Sequence, residues 1–469
     1  MNMDQPRLIP LALMVSMSLL AGCASQRTAY ETPDVRVPAS WQQAPSDGGT
    51  GGGARTESTD RWWTRFDDGQ LDKLVDEALK RNGNLAQAAI KVRKAQLKAG
   101  LAASDQLPTV SASVSSSNSR RLSGGSTTRT NTATAAVSWE LDLWGRLAAL
   151  RDVADWEAQA TEEDRQAAAL TLVGTVTDLY WQIAYLNQRI VASEESIAYA
   201  RKTLALVQVQ HRAGSASGLD EAEATQTLTS QLASHTQLIQ QRVEARNALA
   251  ILFDGPPGAA FPELARLPDA GLPAVEPGLP ASLLTRRPDL KAAELRLREN
   301  VATVDATRVG YYPTLTLTGS VGGSSSALSD VLAHPVGALG AGLVLPFVQW
   351  RDMQRNVAVS QADADVAVVA FRQTWYQALA DVENALSARQ QYDAQGEQLE
   401  VALAAARKVE RLYEVQYRAG AIPLKTWLDA QESRRTAENS LAENRLNRLN
   451  NAVTLYQALG GDMLTSSVP

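Results

Sequence analysis

Side chains suited to catalysis are scarce in this chain of 469 residues, which has 1 cysteine and 3 histidines. The histidines, His211, His235 and His334, lie in unrelated contexts without the spacing of a metal site. The sequence also lacks a glycine-rich phosphate loop and a GxSxG nucleophile motif. We therefore expect no enzyme, no cofactor and no metal ion.

Dense runs of basic residues are absent as well. The chain has 45 Lys and Arg against 51 Asp and Glu, and its formal net charge is −6. Because no basic run is interleaved with aromatic residues, we expect no nucleic-acid partner. Phenylalanine is rare, with 5 residues, and the hydrophobic content of 45% is largely Ala, Leu and Val. That composition is typical of long helices.

The N-terminus has the features of an export signal. The apolar run LIPLALMVSMSLL is too short to span a bilayer and ends at LAGC, residues 20–23. This motif resembles the lipobox of bacterial lipoproteins, which implies a signal peptide over 1–22 and acylation of Cys23. Ala24 after the cysteine favours the outer membrane. The lipidated N-terminus and a flexible Gly/Ser-rich linker are expected over 23–60.

Several short motifs occur twice in the same order and at nearly the same spacing. The pentapeptide QHRAG at 210–214 corresponds to QYRAG at 416–420. Other pairs are 84–90 with 289–295, 106–114 with 311–319, and 141–146 with 346–351. We interpret the chain as a duplication rather than two helical stretches of similar composition. The predicted divisions are repeats at 61–258 and 281–463, a linker at 259–280 and a tail at 464–469.

Each repeat is predicted to contain one very long helix. No proline lies between Pro108 and Pro256, and Gly174 is the only glycine from Arg146 to Ala213, so about 68 residues can run as one helix. The second long helix is expected from about Phe347 to Ala419. Apolar residues at alternating spacings of four and three predict coiled-coil packing. Each RAG motif should end its helix through a left-handed glycine and form the tip of a helical hairpin.

Four short segments rich in Thr, Ser, Val and Ala are predicted strands, near 107–117, 131–141, 312–321 and 336–347. The second and third alternate between apolar and polar residues, the fourth alternates poorly, and residues 113–131 resemble an exposed loop. Alternation of this kind is typical of a membrane barrel. Since four strands cannot close a barrel, three chains would be needed to supply twelve. The alternative is a soluble four-stranded cap.

The stretches 62–85, 138–147, 286–297 and 311–322, together with the two RAG hairpins, resemble the outer-membrane factors of tripartite efflux pumps. The similarity is to the lipoprotein branch that serves resistance-nodulation-division pumps. It implies a mainly α fold with a small β part: a homotrimer with a shared 12-stranded barrel in outer-membrane lipid and a coiled-coil helical barrel in the periplasm. It also implies a passive duct for drugs or other toxic small molecules, joined to a periplasmic adaptor and an inner-membrane pump.

The resemblance also implies roles for particular residues. The adaptor-docking tips are Arg212, Ala213, Gly214, Arg418, Ala419 and Gly420. The periplasmic gate is Tyr417, Asp429, Asp220 and Glu223. Some members of the family carry a basic residue at the position of Ile422, so a gate closed by that cation is not expected here. Without the resemblance, Asp429 is simply a solvated helix acid and Tyr417 a heptad core residue.

Two other functions remain open at this level. A lipid-anchored adaptor also uses a coiled-coil hairpin, but it would need one hairpin flanked by β-rich domains, whereas this chain has two hairpins. A channel of the same fold could serve type I protein secretion, and the lipobox argues only mildly against it. The sequence does not identify the transported compound.

Overall fold

The computed structural model describes residues 27–43, 61–120, 122, 124–269, 271–273 and 280–461. The predicted signal peptide, Cys23, the Gly/Ser-rich segment 45–58 and the predicted tail lie outside these residues. The helices are α1 Gly69–Arg81, α2 Gly83–Ser104, α3 Arg146–Arg212, α4 Gly218–Leu252, α5 Pro288–Val309, α6 Trp350–Arg418 and α7 Leu424–Ala458. The strands are β1 Thr109–Arg120, β2 Thr127–Leu141, β3 Thr314–Ser325 and β4 Val336–Val344.

The two long helices have the lengths that the sequence predicts. Helix α3 has 67 residues and α6 has 69, so each is about 100 Å long at ~1.5 Å per residue. Several residues that the sequence places at coiled-coil positions of α3 are buried. They are Leu172, Val176, Ile183, Leu186, Ile190 and Ile197. Among the described residues, none of these helices combines the length and apolar character needed to cross a membrane.

The chain forms two compact units, and each takes segments from both halves of the sequence. Of the described residues, the sheet unit takes 27–35, 90–163 and 291–374. The helical unit takes 36–89, 164–290 and the residues from 375 onward. Within each half the element order is the same, with a helix pair, two strands, a long helix and a shorter one, and in the second half the first member of the pair is the four-residue helix Leu283–Arg286. Because both units draw on both halves, neither predicted repeat folds as a separate body.

The sheet is antiparallel throughout, in the order β1-β2-β3-β4. Its register aligns apolar residues on one face, since Val137 pairs with Val110 and Gly319, and Gly319 pairs with Leu339. The same face carries three further rows, namely Ala112, Ala135, Val321 and Gly337; Trp139, Leu317 and Ala341; and Leu141, Leu315 and Leu343. Ser and Thr dominate the other face in β1 to β3.

Pairing explains β4, whose sequence alternates poorly. Leu339 and Leu343 lie in the apolar rows, whereas Gly340 and Gly342 lie on the opposite face, where the other strands carry polar residues. Val336 and Val344 also lie on the opposite face, so β4 has no strict alternation of its own and its faces follow from its register with β3. Leu339 is 95% exposed in the single chain.

The predicted loop at 113–131 is largely wrong. The β1–β2 ladder continues to the pair Arg120 and Thr127, which leaves only the few residues between them as the turn. Runs of Ser and Thr on both faces hide the period-two signal, but backbone pairing does not depend on it.

Aromatic residues, although few, concentrate in the core of the helical unit. Trp62 and Trp63 are each 1% exposed and lie before α1 in a short 3-10 helix, Trp62–Phe66. The Trp62 ring stacks on Tyr456 of α7 with ring centroids 5.0 Å apart and an interplanar angle of 19°. Phe66 contacts both Tyr456 and Trp181 of α3. This cluster joins the short 3-10 helix before α1 to α7, the last helix of the same unit.

We expect Trp62→Ala to destabilise the helical unit by about 3–5 kcal/mol, because truncating a buried aromatic residue leaves a cavity. Urea unfolding of the detergent-solubilised protein, followed by circular dichroism, measures this loss. An unchanged midpoint would show that the aromatic cluster contributes little to stability.

Candidate functional site

The two RAG motifs form the same turn at the ends of α3 and α6. Gly214 and Gly420 both have φ of 74°, the left-handed conformation predicted for them. The amide of Gly214 donates to the carbonyl of His211 at 2.9 Å, and that of Ser215 donates to Gln210 at 2.8 Å. The corresponding bonds at the second tip join Gly420 to Tyr417 and Ala421 to Gln416, both at 2.9 Å. Both turns are Schellman motifs, which require the positive φ that glycine tolerates.

The helices that leave the two tips begin differently. At α4, the Ser217 hydroxyl accepts from the amide of Asp220, and the Asp220 carboxylate accepts from the amide of Ser217 at 2.8 Å. At α7, Pro423 occupies the N-cap position without a side-chain cap. Asp220, a predicted gate residue, therefore already stabilises a helix start through a capping box.

Tyr417 links the ends of the two hairpins. Its hydroxyl donates to Oε1 of Gln210 on α3 at 2.8 Å. Its ring stacks on Trp427 of α7, with centroids 5.1 Å apart and an interplanar angle of 25°. Trp427 is 2% exposed and meets Tyr199 edge-on at 6.1 Å. Burial, and then the charge of Asp220, raises the pKa of Tyr417, which keeps its hydroxyl protonated and able to donate.

Asp429 pairs with Lys425, whereas Tyr417 pairs with Gln210. Nζ of Lys425 donates to both of its carboxylate oxygens, at 2.9 and 3.1 Å, one helical turn away on α7. Both side chains are well exposed, at 64% and 63%. The hydrogen bond and the charge of Asp429, followed by the charge of Glu223, raise the pKa of Lys425. Arg418 pairs separately with Glu414 at 2.6 Å.

Lys425 is the partner of a predicted gate residue that sequence reasoning missed. The Lys-to-Asp spacing of four on a helix was the available signal. Lys425 lines a polar cavity of about 510 Å³ together with Asp429 and Glu223. Glu432 and Arg435 also line this cavity. The acids of the predicted gate are thus accompanied by cations of this chain. No cluster of His, Cys, Asp and Glu suited to a metal ion occurs among the described residues.

A family model described as outer membrane efflux protein matches residues 74–253 and 279–461, well over half of the chain. This chain belongs to the outer membrane efflux protein family. The mainly α fold with a small β part and the efflux-channel function expected from the sequence are thereby confirmed, whereas closure of a shared 12-stranded barrel stays a prediction. The roles of the tip and gate residues stay predictions.

Relatives and a solved structure extend the similarity over nearly the whole efflux protein. The pyoverdine export outer membrane protein OpmQ of Pseudomonas putida is 33% identical over 98% of this chain and 98% of its own length. Toxin and drug export protein A of Aggregatibacter actinomycetemcomitans is 30% identical over 85% of this chain and 88% of its own. The open-state crystal structure of the MtrE outer membrane channel of Neisseria gonorrhoeae is 30% identical, with a TM-score of 0.78, and covers 94% of this chain and 98% of its own.

We expect the Lys425–Asp429 pair to set the ion preference of the efflux channel. Lys425→Gln removes the cation and should raise the ratio of cation to anion permeability, whereas Asp429→Asn should lower it. Planar-bilayer recordings in asymmetric salt measure the ratio. The control is Lys98→Gln on α2, an exposed cation outside this cavity. Equal ratios in all four proteins would place the narrowest part of the duct elsewhere.

Proposed function

We propose that three copies of this efflux protein close a 12-stranded barrel in the outer membrane and continue it as a helical tunnel in the periplasm. The observation that carries the proposal is the sheet. In this chain β1 and β4 each pair on one side only, while the apolar face, including Val110, Val114 and Leu339, is largely exposed. A lipid-facing sheet cannot leave its edges unpaired. Four strands from each of three chains satisfy that requirement.

Aromatic residues at one end of the strands support this placement. Trp139 near the end of β2 donates its indole N–H to the carbonyl of Gln106 at 3.0 Å. Trp144 donates to the carbonyl of Pro313 at 2.8 Å, and its ring meets Tyr312 edge-on. Trp350 follows β4 at the same end and is 57% exposed. Such aromatic girdles mark the membrane–water boundary of barrels.

Exposed apolar residues on the long helix support assembly of the tunnel. Val359, Val366, Val369 and Tyr376 on α6 are each between 46% and 67% exposed and recur at spacings of seven and three. A heptad stripe of this kind packs against another helix. A neighbouring copy of the chain would cover it.

The duct itself is passive in this proposal. Its partners supply the energy for transport and select the compounds that are transported. The hairpin tips would dock a periplasmic adaptor, which joins the duct to an inner-membrane resistance-nodulation-division pump. Acylation of Cys23 would anchor the chain to the outer membrane in addition to the barrel. The names of the relatives, which export pyoverdine, drugs and toxins, favour chemically varied small molecules as cargo. A toxin among these names keeps type I protein secretion as the second candidate.

A deletion strain tests the function. We expect it to become more susceptible to several unrelated toxic compounds, measured as minimal inhibitory concentrations, and we expect wild-type protein to restore resistance. Leu339→Arg should fail to do so, because an arginine facing lipid near the middle of a barrel costs about 2–4 kcal/mol. Ser113→Arg, on the opposite face of β1, is the control and should assemble. Unchanged susceptibility together with loss of an exported polypeptide from the medium would instead favour protein secretion.

The tips offer a separate prediction. Gly420→Val places a β-branched side chain at φ of 74°, where nothing lies within 4 Å, so the cost is backbone strain rather than a clash. We expect cross-linking to the adaptor and drug resistance to be lost while the trimer persists. Gly218→Ala, which also meets no neighbour and has no positive φ, is the matched control. Normal cross-linking by Gly420→Val would show that this tip is not part of the docking surface.

A further inference from the structure

A polar cleft of about 720 Å³ lies between α3, α6 and α7 in the helical unit. This volume is within the range of small-molecule sites in proteins, which is about 300–1,000 Å³. None of the residues that line it belongs to the predicted tips or gate. Side-chain amides are its commonest polar groups, and they come from Asn384, Asn447, Asn450, Asn451 and Gln457.

The duplication supplies an internal comparison for this cleft. The two RAG motifs are related by an offset of 206, from residue 210 to residue 416, and the same offset relates the ends of α4 and α7, Leu252 and Ala458. Leu179 and Leu252 pack against the core of the helical unit. Their counterparts in the second half, Ala385 and Ala458, line the cleft instead. Because unfilled space costs stability and the first half places leucines at these positions, the fold itself does not require the cleft.

Contacts within the unit hold two of the amides in fixed orientations. Nδ2 of Asn451 donates to the carbonyl of Ala385 on α6 at 3.1 Å. Nε2 of Gln457 donates to the carbonyl of Leu170 on α3 at 3.3 Å. Gln457 lies against Gly174, where any β-carbon would overlap its amide. Groups that are already oriented lose little freedom when a ligand binds.

The charged groups that line the cleft already pair with each other. Arg287 has a side chain that is 11% exposed, and it pairs with Asp289 at 2.7 Å and with Asp381 at 3.2 Å. Its charge is therefore not free for an anionic ligand. Each amide, in contrast, offers both a donor and an acceptor. Oδ1 of Asn450 is buried without a hydrogen-bond partner among the described residues, which is costly unless a donor reaches it.

We propose that this cleft binds a saccharide that carries hydroxyl and N-acetyl groups. Such a ligand is neutral, and its hydroxyl and acetamido groups both donate and accept hydrogen bonds, as the amides of the cleft do. Sugar rings are rigid, so they suit amides that are held in fixed orientations. The ring of Tyr392, which also lines the cleft, offers an apolar surface to the face of a sugar ring.

Two sources could present this chemistry to a protein that crosses the periplasm. One is the glycan of the cell wall, and the other is a transported compound that carries sugars. Only this choice of source rests on the proposed function, because the chemistry of the cleft follows from its own residues.

Calorimetric titration with the trimer of N-acetylglucosamine tests the site, in a detergent without a sugar headgroup. We expect saturable binding by the wild-type protein and affinity about tenfold weaker in Asn447→Leu, because one amide of the cleft is lost. Gln241→Leu is the matched control, since Gln241 is the exposed counterpart of Asn447 on α4 at the same offset of 206. Absence of saturable binding by the wild-type protein, or equal affinities in all three proteins, would overturn the proposal.

Isolated cell-wall sacculi distinguish the two sources. Sedimentation of the wild-type protein with sacculi, but not of Asn447→Leu, would identify the cell-wall glycan as the ligand. Binding of the trisaccharide without sedimentation would identify a transported compound. The susceptibility of the deletion strain tests the proposed function separately, so its failure would leave the result of the titration unaffected.

Discussion

Backbone hydrogen bonding at the edges of the sheet is the constraint on which the architecture depends. In hydrocarbon an unpaired N–H or C=O group costs several kcal/mol, so a sheet can face lipid only when closed. One chain offers four strands, two of which keep an unpaired edge. The single chain leaves an apolar face uncovered and two edges open, and the proposed barrel would satisfy both.

Duplication gives the molecule two helical hairpins. Their turns have the same geometry, but the side chains next to the turns differ. Both tips end in a Schellman motif on a glycine with φ of 74°. The first continues into a capping box that employs Asp220, and the second into Pro423 and the Lys425–Asp429 pair. Identical turns present equivalent backbone surfaces. The side chains next to the turns differ between the two hairpins, so any difference in role at the predicted gate depends on them.

Aromatic contacts near the tips show how closely the two hairpins are connected within one chain. Tyr417 bonds Gln210 of the first hairpin and stacks on Trp427 of the second. Opening that moves one hairpin against the other must disturb these contacts. The contacts of Tyr417 agree with the interpretation as a core residue, and its role in a gate stays a prediction.

Local chemistry in the sequence determined the helices, their ends and the hairpin turns, because helix periodicity and the conformational freedom of glycine act over a few residues. Long-range pairing decided what the sequence left unclear or led us to mispredict. The Ser/Thr-rich stretch 113–131 became strand through backbone bonds that ignore side-chain type, and β4 acquired its faces from its register with β3. Tertiary structure alone assigned Tyr417 to Gln210 and Thr28 to Asp305, 207 and 277 residues apart in sequence. Contacts at such separations leave no periodic signal in a single chain, since only the folded chain brings these side chains together.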